Sequence, residues 1–352
     1  MLKLWDRANR FIQQESGMFA GKDEVKLLFP AEKIFRVYTP ATGVEFYEGR
    51  DFEYLPEKTC LKLLPSSRIP YFSPEKLHPN EDVPCFPHPE ARAVKGAVDG
   101  GRLLFDNRSY FAENQIVIDY RAEYVDFDPE LPAQLEKLPL FRKKLAVPNS
   151  DIRITLIGDS ISEGFNATSF THSEPFAPAY IDQVVRYLTD RYRVNIQHFN
   201  RSVEGVGCLY ALQNFEQWVH DSPDLLIISF GMNDYGRRNA PEYKDNLQKI
   251  IAKMREYSPA CEVVLVDTMT GNPNWTPTLP GIDVEYSAKL HEIVDQADNS
   301  IAVADVQKVW KMLLERKDFY DLSGNGVNHP NDYGHRVYAS VLIQLLSGVN
   351  MF

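Results

Sequence analysis

The chain changes character near residue 148, and this change constrains the fold more than any other feature. From residue 150 onward, short apolar runs without polar alternation are separated by stretches with helical spacing of apolar residues. Such runs are typical of strands buried on both faces, and strands that alternate with helices form βαβ units. Residues 148–352 are therefore predicted to form a three-layer α/β/α domain around a parallel sheet. The predicted strands are Ile152–Ile157, Val194–Phe199, Leu225–Phe230, Val263–Val266 and Ile301–Ala304, and the predicted helices are Pro178–Tyr192, Pro241–Tyr257, Val284–Gln296, Val306–Leu314 and Tyr333–Leu346.

Residues 1–147, the N-terminal region, have a different pattern. Short β-rich segments alternate with turns that are dense in proline and glycine, and helical spacing is confined to about the first fifteen residues. This pattern predicts an all-β domain of the sandwich or jelly-roll type. The predicted strands are Lys33–Tyr38, Val44–Tyr47, Cys60–Leu64, Arg102–Phe105 and Gln115–Tyr120.

Length and composition limit the class of protein. A chain of 352 residues favours two domains, and 44% hydrophobic with 25% charged residues is typical of a globular protein with a full core. No apolar run approaches the ~20 residues of a membrane helix, and the N-terminus lacks the apolar core of a signal peptide, so a cytoplasmic location is predicted. The net charge of −11 disfavours nucleic acid and anionic membranes as partners. The sequence leaves the oligomeric state open.

Metal and nucleotide motifs are not found in the sequence. Four cysteines lie far apart without a CxxC pair, which predicts free thiols and no zinc site. The GxGxxG pattern that begins at Gly205 ends in Tyr210, so no dinucleotide cofactor is predicted. The N-x-[ST] matches carry no weight without a secretion signal, and they lie at Asn107, Asn166, Asn200 and Asn274.

Small and polar residues follow the predicted parallel strands. Gly158-Asp159-Ser160 ends the first strand, a loop with Gly205 and Gly207 follows the second, and Gly231-Met232-Asn233-Asp234 follows the third. A further loop, Asn325–Asp332, contains His329 and leads into the last helix. Because open parallel sheets bind ligands at the carboxyl ends of their strands, these four segments are predicted to share one site.

The order and spacing of these segments resemble the SGNH (GDSL-type) hydrolase superfamily over residues 150–347. By position, Ser160 matches the nucleophile, Gly205 the second-block glycine, Asn233 the third-block asparagine and His329 the base. The Asn-His-Pro-Asn-Asp run before the last helix is similar to carbohydrate esterases that carry an N-terminal β-domain and remove acetyl groups from sugars. The resemblance implies a small-molecule or oligosaccharide ester as substrate and requires no metal or cofactor.

These residue types suit acyl transfer. A serine hydroxyl needs an adjacent base, and His329 can take the Ser160 proton and return it to the leaving alkoxide. The resemblance implies three donors for the oxyanion: the N–H groups of Ser160 and Gly205 and the Asn233 side-chain amide. Asp159 and Asp234 are expected to accept hydrogen bonds from nearby loop N–H groups.

The group that orients the histidine is not identified by the resemblance. The family pattern places an aspartate three residues before the base, where this chain has Gly326. Asn325 could replace the acid and accept from His329. A backbone carbonyl could be the acceptor instead, so that only Ser160 and His329 form a dyad. A more distant acid, Asp332 or Asp321, could also reach the histidine in the folded chain. A dyad helped by a neutral acceptor is preferred, because Asp332 looks like a helix-start residue favoured by the helix dipole.

The prediction is therefore a serine esterase that deacetylates a carbohydrate through an acyl-enzyme on Ser160. An acyltransferase would use the same acyl-enzyme with another acceptor. A third possibility is a carbohydrate-binding protein that has the esterase fold but has lost the activity. The presence of all four motif residues argues against it.

Overall fold

The computed structural model describes residues 3–132 and 134–352. In the N-terminal region, a four-stranded antiparallel sheet has the order β1-β11-β4-β5, and a three-stranded antiparallel sheet has the order β3-β7-β6. The pair β9-β10 is antiparallel and the pair β2-β8 is parallel. The strands are β1 (Phe11–Gly17), β2 (Phe19–Ala20), β3 (Glu24–Lys26), β4 (Ala31–Thr39), β5 (Val44–Phe46), β6 (Phe52–Leu55), β7 (Cys60–Leu63), β8 (Tyr71–Phe72), β9 (Ala93–Lys95), β10 (Arg102–Leu104) and β11 (Ile116–Ala122), and the helices are α1 (Pro74–Leu77), α2 (Tyr110–Asn114) and α3 (Pro139–Leu145).

Antiparallel sheets form in this region, as predicted, but three short helices accompany them, and the prediction for the start of the region is wrong. Residues 11–17 have helical spacing in the sequence but form β1, because they pair along β11 from Phe11 to Gly17. Residues 1–2 lie outside the described part of the chain. The sandwich or jelly-roll arrangement stays a prediction, since the sheets are small and one pair of strands is parallel.

The second half forms the predicted α/β fold. Its five-stranded sheet is parallel throughout, with the order β13-β12-β14-β15-β16. The five predicted strands and five predicted helices are all present, and their ends differ from the prediction by at most two residues. The strands are β12 (Asp151–Gly158), β13 (Asn195–Asn200), β14 (Leu225–Ser229), β15 (Glu262–Val266) and β16 (Ile301–Ala304), and the helices are α4 (Ser160–Glu163), α5 (Tyr180–Tyr192), α6 (Cys208–Gln213), α7 (Ala240–Tyr257), α8 (Ile282–Asp295), α9 (Val306–Leu314), α10 (Phe319–Leu322) and α11 (Asp332–Ser347).

Burial explains why the sequence pattern predicts the strands of this sheet. Every residue of β14, β15 and β16 is buried, whereas β13, at one edge of the sheet, has no buried residue. A strand covered on both faces needs an unbroken apolar run, and an exposed strand such as β13 does not. β16 forms the opposite edge of the sheet but is buried. The carboxyl ends of these strands form one edge of the sheet, called the carboxyl edge below.

The core continues across residue 147. Leu4 and Trp5 in the N-terminal region belong to the same buried cluster as β12, α11 and the C-terminal Phe352. Main-chain contacts also cross: Met18 N donates to the Asp321 carboxylate over 2.8 Å, and the Arg336 guanidinium donates to Gln13 O over 3.0 Å. The two halves are therefore packed as one body, and the division into domains 1–147 and 148–352 stays a prediction.

Two expectations from composition can be compared with the structure. All four cysteines are free, as predicted. Within residues 3–132 and 134–352, no helix combines the length and apolar character needed to cross a membrane. The cytoplasmic location stays a prediction.

Candidate active site

Ser160 lies where β12 meets the carboxyl edge. It is the first residue of α4, and the side chain of Asp159 caps that short helix by accepting from the N–H of Ile161 over 3.0 Å. Asp159 thus has the loop-structuring role expected for it. The first residues of a helix have N–H groups without intrahelical acceptors, so the Ser160 N–H lies in a position suited to an oxyanion.

His329 contacts Ser160 directly. Its Nε2 lies 2.8 Å from Ser160 Oγ, and both residues are buried. Burial, together with the nearby His335, lowers the pKa of His329 to about 3. The imidazole is therefore neutral near pH 7, which is the form that can accept a proton. The ring of Phe165 packs edge-on against His329 at a centroid distance of 5.3 Å.

The second and third motif segments are joined by hydrogen bonds. Asn233 Nδ2 donates to Val206 O over 3.1 Å, next to the exposed Gly205. The Asp234 carboxylate accepts from the N–H of Cys208 over 3.2 Å, as expected of a loop-structuring acceptor. A side chain at Gly207 would place its Cβ 2.5 Å from that carboxylate, so glycine is required for this contact. Gly205 and Asn233 are thereby held in adjacent loops at the carboxyl edge.

The three side chains proposed to orient His329 have other partners in the structure. Asn325 Oδ1 accepts from the backbone N–H groups of Val327, Asn328 and His329, so it shapes the loop and not the ring orientation. Asp332 accepts from the N–H and the hydroxyl of Thr168, each over 2.8 Å. Asp321 accepts from the N–H groups of Met18 and Asp318. None of these three side chains contacts His329 Nδ1, so their assignment as the orienting group is wrong.

The side chain that does contact Nδ1 is Asn166. Its Oδ1 lies 2.8 Å from His329 Nδ1. Asn166 follows α4 in a loop, has a φ of +61° and is buried. In the sequence it stands out only as an N-x-[ST] match, because nothing in the local pattern links a loop residue to a histidine 163 positions later. A neutral acceptor was expected, but from a different asparagine.

One further cluster contains groups that ligate metals. Asp267 and Asp305 follow β15 and β16, and their carboxylates and His291 offer ligand atoms within 4.8 Å of one another. His291 Nε2 lies 2.9 Å from Asp305 Oδ1, and Ser287 donates to Asp267 over 2.7 Å. These contacts account for the cluster as a paired ion network, and we assign no metal to it.

A cavity of about 80 Å³ lies between the N-terminal sheet and the start of α11. Asn166, Thr168, Asp332 and Arg336 line it, whereas Ser160 and His329 are not among its lining residues. It therefore lies behind the histidine and is not the space in which an ester would meet the Ser160 hydroxyl.

Residues 156–337, just over half of the chain, match the GDSL-like lipase/acylhydrolase family. A multidomain esterase from Ruminococcus flavefaciens is 24% identical over 145 residues, which are 40% of this chain and 18% of that protein. The chain thus spans under a fifth of the length of that curated relative.

Solved structures with a similar fold match part of the chain. They include a GDSL-like lipase from Parabacteroides merdae, with 19% identity and a TM-score of 0.47, and an acetylxylan esterase from Geobacillus stearothermophilus, with 17% identity and a TM-score of 0.47. The matches cover 58% and 57% of this chain and 98% and 96% of those chains.

Proposed function

The chain belongs to the GDSL-like lipase/acylhydrolase family, and from this premise we propose that it is a serine esterase that removes acetyl groups from a carbohydrate. Ser160 is the nucleophile and His329 is its base. The observation that carries the proposal is the 2.8 Å contact between Ser160 Oγ and His329 Nε2 at the carboxyl edge. A nucleophile with a base in hydrogen-bond reach is the arrangement that acyl transfer requires.

The reaction has two halves. His329 Nε2 takes the proton of Ser160 Oγ while the oxygen attacks the ester carbonyl carbon, and a tetrahedral intermediate forms. The intermediate collapses when the C–O bond to the sugar breaks and His329 returns the proton to the leaving alkoxide. Water then gives a proton to His329 and attacks the acyl-enzyme carbonyl carbon, which forms a second tetrahedral intermediate. The bond from this carbon to Ser160 Oγ breaks, His329 returns the proton to Oγ, and acetate and free Ser160 are released.

The negative charge of each intermediate needs hydrogen-bond donors. The backbone N–H groups of Ser160 and Gly205 and the amide of Asn233 are the three proposed donors. Asn233 uses one of its two amide hydrogens on Val206 O, which leaves the second for the substrate. Loss of one such donor typically costs ~10²–10³ in rate.

The carbohydrate and the acetyl group are supported by the resemblance of the His329 loop to carbohydrate esterases. Those esterases have a β-domain next to the catalytic domain. In this chain, similarly, the N-terminal region contributes residues beside the His329 loop. Asn107 Oδ1 accepts from Asn325 Nδ2 over 3.3 Å, two side chains that belong to the two halves. The intact Ser160–His329 contact argues against a retired, purely sugar-binding site.

The test is release of acetate from an acetylated xylooligosaccharide and from a small aryl acetate. Wild-type protein is compared with Ser160→Ala, with Ser202→Ala as the matched control because the Ser202 hydroxyl has no partner among the described residues. We expect loss of ~10⁴-fold or more in kcat for Ser160→Ala and none for the control. Equal activity of wild type and Ser160→Ala would overturn the proposed nucleophile, and activity on aryl acetate alone would overturn the carbohydrate substrate.

A further inference from the structure

We propose that Asn166 is the positioning residue that orients His329, and that the N-terminal region holds Asn166 in place through main-chain carbonyl groups. The inference rests on the proposed function, since the orientation of His329 matters only if it is the base. Asn166 Oδ1 lies 2.8 Å from His329 Nδ1, on the opposite side of the ring from Ser160. The three side chains thus form a chain of hydrogen bonds whose last member carries no charge.

The orientation of the Asn166 amide is determined by its surroundings. Nδ2 faces three carbonyl oxygens: Gly324 O at 3.0 Å, Arg108 O at 3.3 Å and Asp106 O at 3.4 Å. Carbonyl oxygens accept hydrogen bonds and cannot donate them, so the NH₂ group must point to them and Oδ1 must point to His329. An Oδ1 acceptor places the proton on Nδ1 and leaves the Nε2 lone pair free for the Ser160 hydroxyl.

The same three carbonyls explain why this position holds an amide and not an acid. An aspartate would place a second carboxylate oxygen where Nδ2 now lies, against three oxygens with lone pairs. In a buried site, such an unpaired charge is strongly unfavourable. An asparagine satisfies the carbonyls and the histidine at once, and it tolerates the positive φ of this loop.

The position where related hydrolases carry their acid is closed by the N-terminal region. Gly326 has a φ of +88°, and a Cβ there would lie 2.4 Å from Leu104 O and 2.7 Å from the Phe111 ring. No side chain fits without moving β10 or α2. The N-terminal region therefore both excludes the usual acid and supplies two of the carbonyls that hold its replacement.

The supplying segment, residues 106–108, is itself fixed by ion pairs. The Asp106 carboxylate is fully buried and contacts the guanidinium groups of Arg92 and Arg108. It also accepts from the backbone N–H of Arg108 over 2.7 Å. These bonds hold the segment that carries the two carbonyls, so a change at Asp106 should reach His329 through Asn166.

The first test is Asn166→Gly. Glycine accepts the positive φ without strain, so the amide is removed while the backbone is kept. The matched control is Asn149→Gly, an exposed asparagine with a φ of +62° that precedes β12, at the end of the strand opposite to Ser160. We expect Asn166→Gly to lower kcat at least about tenfold with KM within about twofold, and Asn149→Gly to change neither. A folded Asn166→Gly with wild-type kcat would overturn the proposal.

The second test is Asn166→Asp. A protonated carboxyl can donate to Gly324 O as the amide does, so we expect residual activity that falls as pH rises and the group ionises. The proposal would be contradicted if Asn166→Asp kept wild-type activity and its kcat/KM began to fall at a higher pH than that of the wild type as the solution is made more acidic. That result would mean that a carboxylate is tolerated beside the imidazole and stabilises its charged form.

The third test measures coupling between Asp106 and Asn166. Asp106→Ala should lower kcat in wild-type protein but add less than about twofold to the loss in the Asn166→Gly background, because its effect passes through the missing amide. Full additivity would mean that Asp106 affects kcat independently of Asn166, and an unchanged kcat in Asp106→Ala would mean that the ion pairs act on stability alone. Either result would overturn the coupling.

A readout without turnover separates this inference from the proposed function. The ¹⁵N shifts of the His329 ring report which nitrogen carries the proton, and we expect Nδ1–H in wild type and a mixture of tautomers in Asn166→Gly. If the tautomer is fixed but Ser160→Ala retains full activity, the proposed function fails alone. If Ser160→Ala is inactive but the tautomer is the same in both proteins, the orienting role fails alone.

Discussion

The two sides of the His329 ring are built from different parts of the molecule. On the Nε2 side, Ser160 comes from the end of β12, one strand of the same parallel sheet that carries the rest of the motif. On the Nδ1 side, Asn166 lies in a loop whose amide is held by carbonyls from residues 106–108 and from Gly324. Local topology therefore determines one contact, and packing of the N-terminal region determines the other.

This difference explains how the site can depart from its family on one side only. Ser160 follows the carboxyl end of a parallel strand, the position where open parallel sheets bind ligands, and the His329 loop meets it there. The orienting group needs only an acceptor at hydrogen-bond distance from Nδ1, which many surroundings can supply. We expect the Nε2 side to carry most of the catalytic effect and the Nδ1 side to adjust it.

The largest effect is expected for His329→Ala. Without a base, the Ser160 hydroxyl keeps its proton, and kcat should fall by about 10⁴-fold or more. His220→Ala is the control, because His220 is exposed and its Nδ1 lies 3.2 Å from the Tyr257 hydroxyl, in a segment that carries none of the motif residues. The loss must exceed that of Asn166→Gly by at least tenfold. Comparable losses would mean that the two sides of the ring are equally important.

The next effect is expected for Gly326→Asp, which restores the acid at its usual position. Because a Cβ would meet Leu104 O at 2.4 Å, we expect loss of about 3 kcal/mol or more in the free energy of unfolding and no gain in activity. Gly100→Asp is the matched control, with a φ of +84° and no atom near the added Cβ. It should cost about 1 kcal/mol. A stable and more active Gly326→Asp, measured by urea unfolding and acetate release, would contradict the closed position.

A pH profile tests the neutral surroundings of the ring. Burial lowers the pKa of His329 from 6.5 to about 3, so the deprotonated base persists as pH falls. We expect kcat/KM to change less than about twofold between pH 7 and pH 5. The unfolded chain takes up the His329 proton near pH 6.5, before the folded one does, so the contribution of His329 to the free energy of unfolding should decrease as pH falls from 6.5 toward 3. An acid limb centred near pH 6.5 would show that the ring is not shielded as described.

The smallest effect is expected for Asp332→Asn. Asp332 supports Thr168, two residues after Asn166, and an amide oxygen can still accept from the Thr168 N–H. We expect kcat to stay within about tenfold of wild type. A loss above a hundredfold with the fold retained would mean that the charge of Asp332 contributes to the reaction, and the neutral account of the Nδ1 side would fail.

The sequence predicted what depends on local pattern. Unbroken apolar runs located β14, β15 and β16 because those strands are buried on both faces, and the residues after the strands marked the carboxyl edge. The strand β1 was missed because its pairing with β11 joins residues about a hundred positions apart. Asn166 was missed for the same physical reason: its role depends on residues 106–108 and His329, which come together only after the two halves pack.

The central claim is that Ser160 is the nucleophile, and covalent labelling tests it most directly. Wild-type protein is treated with a fluorophosphonate that reacts with activated serines, and the modified peptide is identified by mass spectrometry. The account predicts one added phosphonyl group, on Ser160, and slower labelling of His329→Ala. Wild-type protein that has not been labelled should keep its full rate of acetate release. Labelling of a different serine together with loss of acetate release would contradict the claim.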